Sequence, residues 1–166
     1  ANSISGSIQA DDIGPNARLQ SGSGPIHASS VHGAAVLQTG SGNLQLSLTA
    51  PGDVQARTGS GSIHIDGIDG GLRAGAGSGS IEVSGNPTSE WRLESGSGAI
   101  HLQLAENAHF TLNAQTGSGS VDIEQPIVMQ GSIDRRRVSG TVNGGGPTIR
   151  ANTGSGNITI RRSTNP

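Results

Sequence analysis

Thr58-Gly59-Ser60-Gly61-Ser62-Ile63-His64-Ile65 decides the fold, because its centre, Gly-Ser-Gly followed one residue later by an aliphatic side chain, recurs along the whole chain. Full copies stand at Gly22-Ser23-Gly24…Ile26, Gly40-Ser41-Gly42…Leu44, Gly77-Ser78-Gly79…Ile81, Gly96-Ser97-Gly98…Ile100, Gly117-Ser118-Gly119…Val121 and Gly154-Ser155-Gly156…Ile158. Degenerate copies, Ser5-Gly6…Ile8 and Ser139-Gly140…Val142, complete the series. The second glycines fall at 6, 24, 42, 61, 79, 98, 119, 140 and 156, a period near nineteen. A fixed period of this size along a whole chain predicts a solenoid.

Aligned on the glycines, the residues form columns. Two places after the second glycine stand Ile8, Ile26, Leu44, Ile63, Ile81, Ile100, Val121, Val142 and Ile158. Two places further stand Ala10, Ala28, Leu46, Ile65, Val83, Leu102, Ile123, Gly144 and Ile160, with polar residues between the columns. The arm before the glycines alternates too, with Val54, Leu72, Trp91, Leu112 and Ile149 in one column and Leu37, Ala56, Ala74, Leu93 and Ala151 in the next. Alternation with period two is a strand signature. Two strands and two turns in about nineteen residues cannot bury a core alone, so the rungs must stack. The expectation is an all-β, parallel β-solenoid of about nine rungs, a rod of about 40 Å at about 4.8 Å per rung. The Gly-Ser-Gly corners are expected to exploit φ > 0, and breakers such as Gly67-Ile68-Asp69-Gly70-Gly71 separate the rungs. One domain spans 1–166, with irregular rungs from about 126 to 166, where Asp134-Arg135-Arg136-Arg137 replaces inward small residues.

Composition narrows the function classes. Hydrophobic residues make up only 31%, yet the net charge of −2 and the 28 glycines point to a thin repeated core and away from disorder. One Trp, one Phe and no Tyr leave little for an aromatic platform, which weighs against stacking-based binding of sugars or single-stranded nucleic acid, and no nucleic-acid partner is expected. Cys is absent, so disulfide and thiolate chemistry are excluded. All ten basic residues are Arg, so the chain has no phosphate loop of the Gly-Lys-Ser/Thr kind. No run of apolar residues is long enough to span a membrane. The chain opens inside a repeat, and a removed leader or anchor is expected.

The Thr-Gly-Ser-Gly-Ser/Asn-Ile units, above all Thr58–Ile63 and Thr153–Ile158, resemble those of bacterial extracytoplasmic β-strand-repeat proteins called the toast-rack domain and classed as adhesin-like. The ending Val138-Ser139-Gly140-Thr141-Val142-Asn143-Gly144-Gly145-Gly146-Pro147 resembles the last rungs of that family. The resemblance covers essentially the whole chain. It implies an exported β-helix in the periplasm or at the cell surface, found beside envelope-stress-sensing modules, with no catalytic residues to carry over.

Two constellations are candidates for binding. The exposed column His27, Gln45, His64, Glu82, His101, Asp122 would place His64, Glu82, His101 and Asp122 in line if rungs stack in sequence order. Imidazole with carboxylate suits Zn²⁺, although a straight line fits tetrahedral coordination poorly. Arg135, Arg136, Arg137, Arg150, Arg161 and Arg162 concentrate guanidinium groups near the C-terminus, where they would meet phosphate or carboxylate partners. Calcium binding of the β-roll type is not expected, because the residue after the second glycine (Pro25, Asn43, Ser62, Ser80, Ala99, Ser120, Thr141, Asn157) is never a carboxylate. The hydroxyl column Ser21, Thr39, Thr58, Ser95, Thr116, Thr153, interrupted by Ala76, falls inward or at the corner by parity, which argues against ice binding.

The sequence therefore predicts a non-catalytic exported interaction module without a cofactor, meeting a protein or glycan of the cell envelope. The alternatives are a scaffold that self-associates through solenoid ends or faces, and a ligand- or metal-responsive envelope-stress sensor.

Overall fold

The computed structural model describes residues 2–14, 16–104, 109–123, 129–134, 136–142 and 144–162. Its strands are β1 (Asn2–Ser3), β2 (Ile8–Ile13), β3 (Ala17–Ser21), β4 (Ile26–His32), β5 (Ala35–Ser41), β6 (Leu44–Ala50), β7 (Val54–Ser60) and β8 (Ile63–Ala76). They continue with β9 (Ile81–Ser95), β10 (Ile100–Leu104), β11 (Phe110–Thr116), β12 (Val121–Ile123), β13 (Met129–Ile133), β14 (Arg137–Val142), β15 (Thr148–Thr153) and β16 (Ile158–Arg162). No helix occurs among the described residues. The chain is an all-β parallel solenoid, as the repeat requires.

Each rung contributes one arm before its glycine corner and one after. The arms before the corner pair in the order β1, β3, β5, β7, β8, β9, β15, β11, all parallel. The arms after it pair as β2, β4, β6, β8, β9, β10, β16, β12, also parallel. β8 and β9 each bend from one face to the other without a break, joining the two faces into one sheet. The inward columns meet between the faces. Ile63, Ile65, Ile81, Val83, Ile100, Leu102 and Leu93 are all fully buried there, like stacked on like. Trp91 is buried as expected, and its Nε1–H donates to the Gly70 carbonyl at 2.7 Å, so its single polar atom is satisfied.

The corners require glycine for a reason the sequence did not reveal. The positive-φ glycines are Gly33, Gly67, Gly70, Gly144 and Gly145, none of them in a Gly-Ser-Gly corner. What the corners lack is room. A Cβ on Gly24, Gly42, Gly61, Gly79, Gly98, Gly156 or Gly119 would lie within 3.0 Å of the carbonyl oxygen of Gly6, Gly24, Gly42, Gly61, Gly79, Gly98 or Gly156 respectively. The first glycine of each corner stacks in the same way, Gly40 on Gly22 and so on to Gly117 on Gly154. The hydroxyl column seals this seam from inside. Ser21, Thr39, Thr58, Ser95, Thr153 and Thr116 donate to the carbonyls of Gly6, Gly24, Gly42, Gly79, Gly98 and Gly156, at 2.8–3.2 Å.

The corner order also shows that sequence order is not spatial order. The last rung of the chain, β15 with β16, lies between the β9/β10 rung and the β11/β12 rung. Ile100 pairs with Ile158 on one side, and Val121 pairs with Ile158 on the other. The rung expected at Gly140 is absent from the stack, which therefore falls short of nine. With Arg136 and Arg137 in place of inward small residues, that segment instead turns back on itself. β13 and β14 form an antiparallel hairpin, and β14 runs antiparallel along β11 with Val138 and Val142 buried. The chain then crosses the start of β11 to reach its other side. Gly144 and Gly145 take φ of 91° and 87° in this crossing, and a Cβ on Gly146 would meet the His109 carbonyl.

Candidate functional site

The inserted rung rearranges both predicted constellations. On the face built from the arms after the corner, the outward row reads Gln9, His27, Gln45, His64, Glu82, His101, Thr159, Asp122. His64, Glu82 and His101 are consecutive, but Thr159 separates His101 from Asp122, so the four share a row without being neighbours throughout. His64 is already engaged, with Nε2 3.0 Å from Asp66 Oδ2 and Nδ1 3.4 Å from Glu82 Oε2. His27 Nδ1 lies 3.0 Å from Gln45 Oε1. Among the described residues, no three His, Asp or Glu side chains gather as metal ligands.

The C-terminal arginines do not form one patch. Arg150 lies on the face built from the arms before the corner, and Arg161 on the other face. Arg136 and Arg137 belong to the hairpin at the end of the stack. Arg135 and the side chain of Arg162 lie outside the described residues.

Arg150 has other company. Its Cα partner in β9 is Arg92, whose partner in β8 is Arg73. Along the parallel strands of this face the row reads Arg18, Val36, Gln55, Arg73, Arg92, Arg150, Asn113. Three exposed guanidinium-bearing residues thus stand on adjacent parallel strands about 4.8 Å apart. Like charges directly opposite one another oppose pairing. Glu90 offsets part of this, with Oε1 4.0 Å from Arg150 Nε. Among the described residues, Arg73 and Arg92 have no carboxylate within 4.0 Å. A shallow depression of about 540 Å³ opens beside them, bordered by Val36, Asp53, Gln55, Arg73, Glu90 and Arg92. Arg73 and Arg92 are legible in the sequence as outward members of alternating arms. Their junction with Arg150 needs the insertion, which no local pattern announces.

A second grouping lies toward the ends of β2, β4 and β6. His32 Nε2 is 3.0 Å from Asp12 Oδ1, and His32 Nδ1 is 3.0 Å from Thr49 Oγ1. Ser29 Oγ donates to Asp11 Oδ1 nearby. Asp12 and Ser30 hold φ of 55° and 54°, and β4 bulges against β6 at this point. The His32 and Asp12 side chains are 48% and 85% exposed, so water screens this line and it contributes little.

These features define a class: a parallel β-solenoid with glycine-stacked corners, two outward polar faces and a C-terminal rung inserted into its interior. The chain belongs to the Toastrack family, whose model, described as Toastrack DUF4097, matches residues 1–161. The family has no assigned function and is not a known enzyme family. No curated protein and no solved structure gives a match.

Proposed function

We propose that this chain is a non-catalytic, exported recognition rod, adhesin-like and associated with the cell envelope, which meets a protein or glycan partner through its outward sheet faces. One observation carries the reading. The inward columns are wholly used in stacking, whereas the outward columns form straight in-register rows, Arg73–Arg92–Arg150 on one face and His64–Glu82–His101 on the other. Such rows are not needed for the core, so their chemistry is available to an external partner. The toast-rack resemblance supports the envelope location.

The test is retention of the full chain on purified envelope fractions: peptidoglycan, surface polysaccharide and membrane vesicles. A control protein of similar size and charge sets the background. Retention on at least one fraction above that background is expected, and background retention on all of them overturns the proposal.

Scaffolding through the solenoid ends is a second reading. Among the described residues, β2 and β13 each pair on one edge only, leaving backbone donors and acceptors for another strand. Light scattering across a concentration series decides it: a constant mass near 16.6 kDa excludes assembly, and growth with concentration supports it.

A further inference from the structure

We propose that Arg73, Arg92 and Arg150 form a binding line for a single strand of acidic polysaccharide, lying along the rod axis across β8, β9 and β15. This rests on the recognition-rod reading and names its ligand class. Guanidinium groups are the side chains best suited to carboxylates, which they can grip with two parallel hydrogen bonds. Here they recur once per rung, about 4.8 Å apart and roughly the length of one sugar unit, so successive acidic sugars of an extended chain can each meet one arginine.

The rows on either side decide against a broad anionic surface such as a bilayer. On one side of the line stand Asp53 and Glu90, and on the other Glu94, in register with Asn152. Arg57 is the only arginine facing β7, β8 or β9 from that second row, two strands away from Glu94. Across β9 and β15 positive charge is therefore one residue wide, with Arg57 beside the line on β7, and an anionic sheet laid over it would press on the flanking carboxylates. A thread fits and a plane does not. The depression beside Arg73 and Arg92 is bordered by Val36 and Gln55 and also by the Asp53 and Glu90 carboxylates, so it suits the hydroxyl-bearing side of a sugar ring whose carboxylate turns toward the arginines.

The third arginine comes from the inserted rung, so the site is whole only when β15 is seated between β9 and β11. A ligand that bridges Arg92 and Arg150 must then favour the seated state, because anything that binds only the complete site stabilises it.

The experiment titrates full-length chain with oligogalacturonate by calorimetry, with neutral dextran, inorganic phosphate and phosphatidylglycerol vesicles as parallel arms. Oligogalacturonate is expected to bind, more weakly as salt is raised, and to slow amide hydrogen exchange in β15. Arg92→Gln should weaken binding about tenfold and, at the same oligogalacturonate concentration, reduce the effect on β15. Arg18→Gln removes the same charge from the same face outside the line and should leave binding unchanged. Dextran and phosphate should not bind measurably, and vesicles should not retain the chain. Equal losses in Arg92→Gln and Arg18→Gln, wild-type affinity in Arg92→Gln, or vesicle binding matching that of the polymer would each overturn the proposal. If oligogalacturonate fails while envelope fractions still retain the chain, the arginine line falls and the recognition rod stands. If both fail, both readings fall.

Discussion

At the residue scale, the corner glycines answer to contact with the rung below. Gly79 and Gly75 separate this cause from general flexibility. A methyl group on Gly79 would strike the Gly61 carbonyl, whereas one on Gly75 meets nothing within 4 Å. Gly79→Ala should therefore lower stability by about 3 kcal/mol or more, and Gly75→Ala should be neutral or stabilising by up to about 1 kcal/mol; urea midpoints distinguish them. The hydroxyl column offers a test of opposite sign. Ala76 stands between Thr58 and Ser95 and offers no hydroxyl to the Gly61 carbonyl, unlike the other members of its column. Ala76→Ser should add about 1 kcal/mol, visible as a higher midpoint with unchanged slope. The column was legible in the sequence through its parity. The steric origin of the glycines was not, because a repeat reports that a residue type is required without reporting what it would strike.

At the scale of the element, the outcome turned on the stretch from Asp134 to Pro147. Arg136 and Arg137 mark the rung at Gly140 as aberrant, and the sequence shows that much. It does not show that the segment reverses into a hairpin, since Val138 and Val142 suit an antiparallel strand as well as a parallel one. β15 and β16 do not replace that rung beyond β11 and β12; they enter the slot that sequence order would give to β11 and β12. Ile160, fully buried between Leu102 and Ile123, measures how far its neighbours depend on it. Ile160→Ala should cost about 2–5 kcal/mol. Hydrogen exchange should then accelerate in β11 and β12 as well as in β16, because those strands rest on the inserted rung. Acceleration confined to β16 would show that the rungs are energetically separate. The expected run His64, Glu82, His101, Asp122 is interrupted for the same reason: counting repeats puts Asp122 next to His101, and counting does not detect a rung of distant sequence in between.

At the scale of the whole molecule, a repeat protein is expected to loosen from its sequence ends, each rung depending on its neighbours. Here only one end of the sequence is also an end of the stack. Among the described residues, β1 and β2 pair on one side only, whereas β15 and β16 are paired on both. Native-state exchange should therefore be fast in residues 2–13 and as slow in 148–162 as in the centre of the rod. Symmetric fraying at both sequence ends would contradict the insertion.

The interior position of the last rung also imposes an order in time. Protein chains are made from the N-terminus, so residues 2–104 can stack as they leave the ribosome, each new rung finding its neighbour already formed. Residues 110–123 have no such platform, because what lies beneath them is synthesised some twenty-five residues later. The nascent chain must carry this unfinished floor until translation has passed residue 162. Chaperone protection would matter most during that interval, and a message cut short before it closes would yield a protein lacking its next-to-last rung.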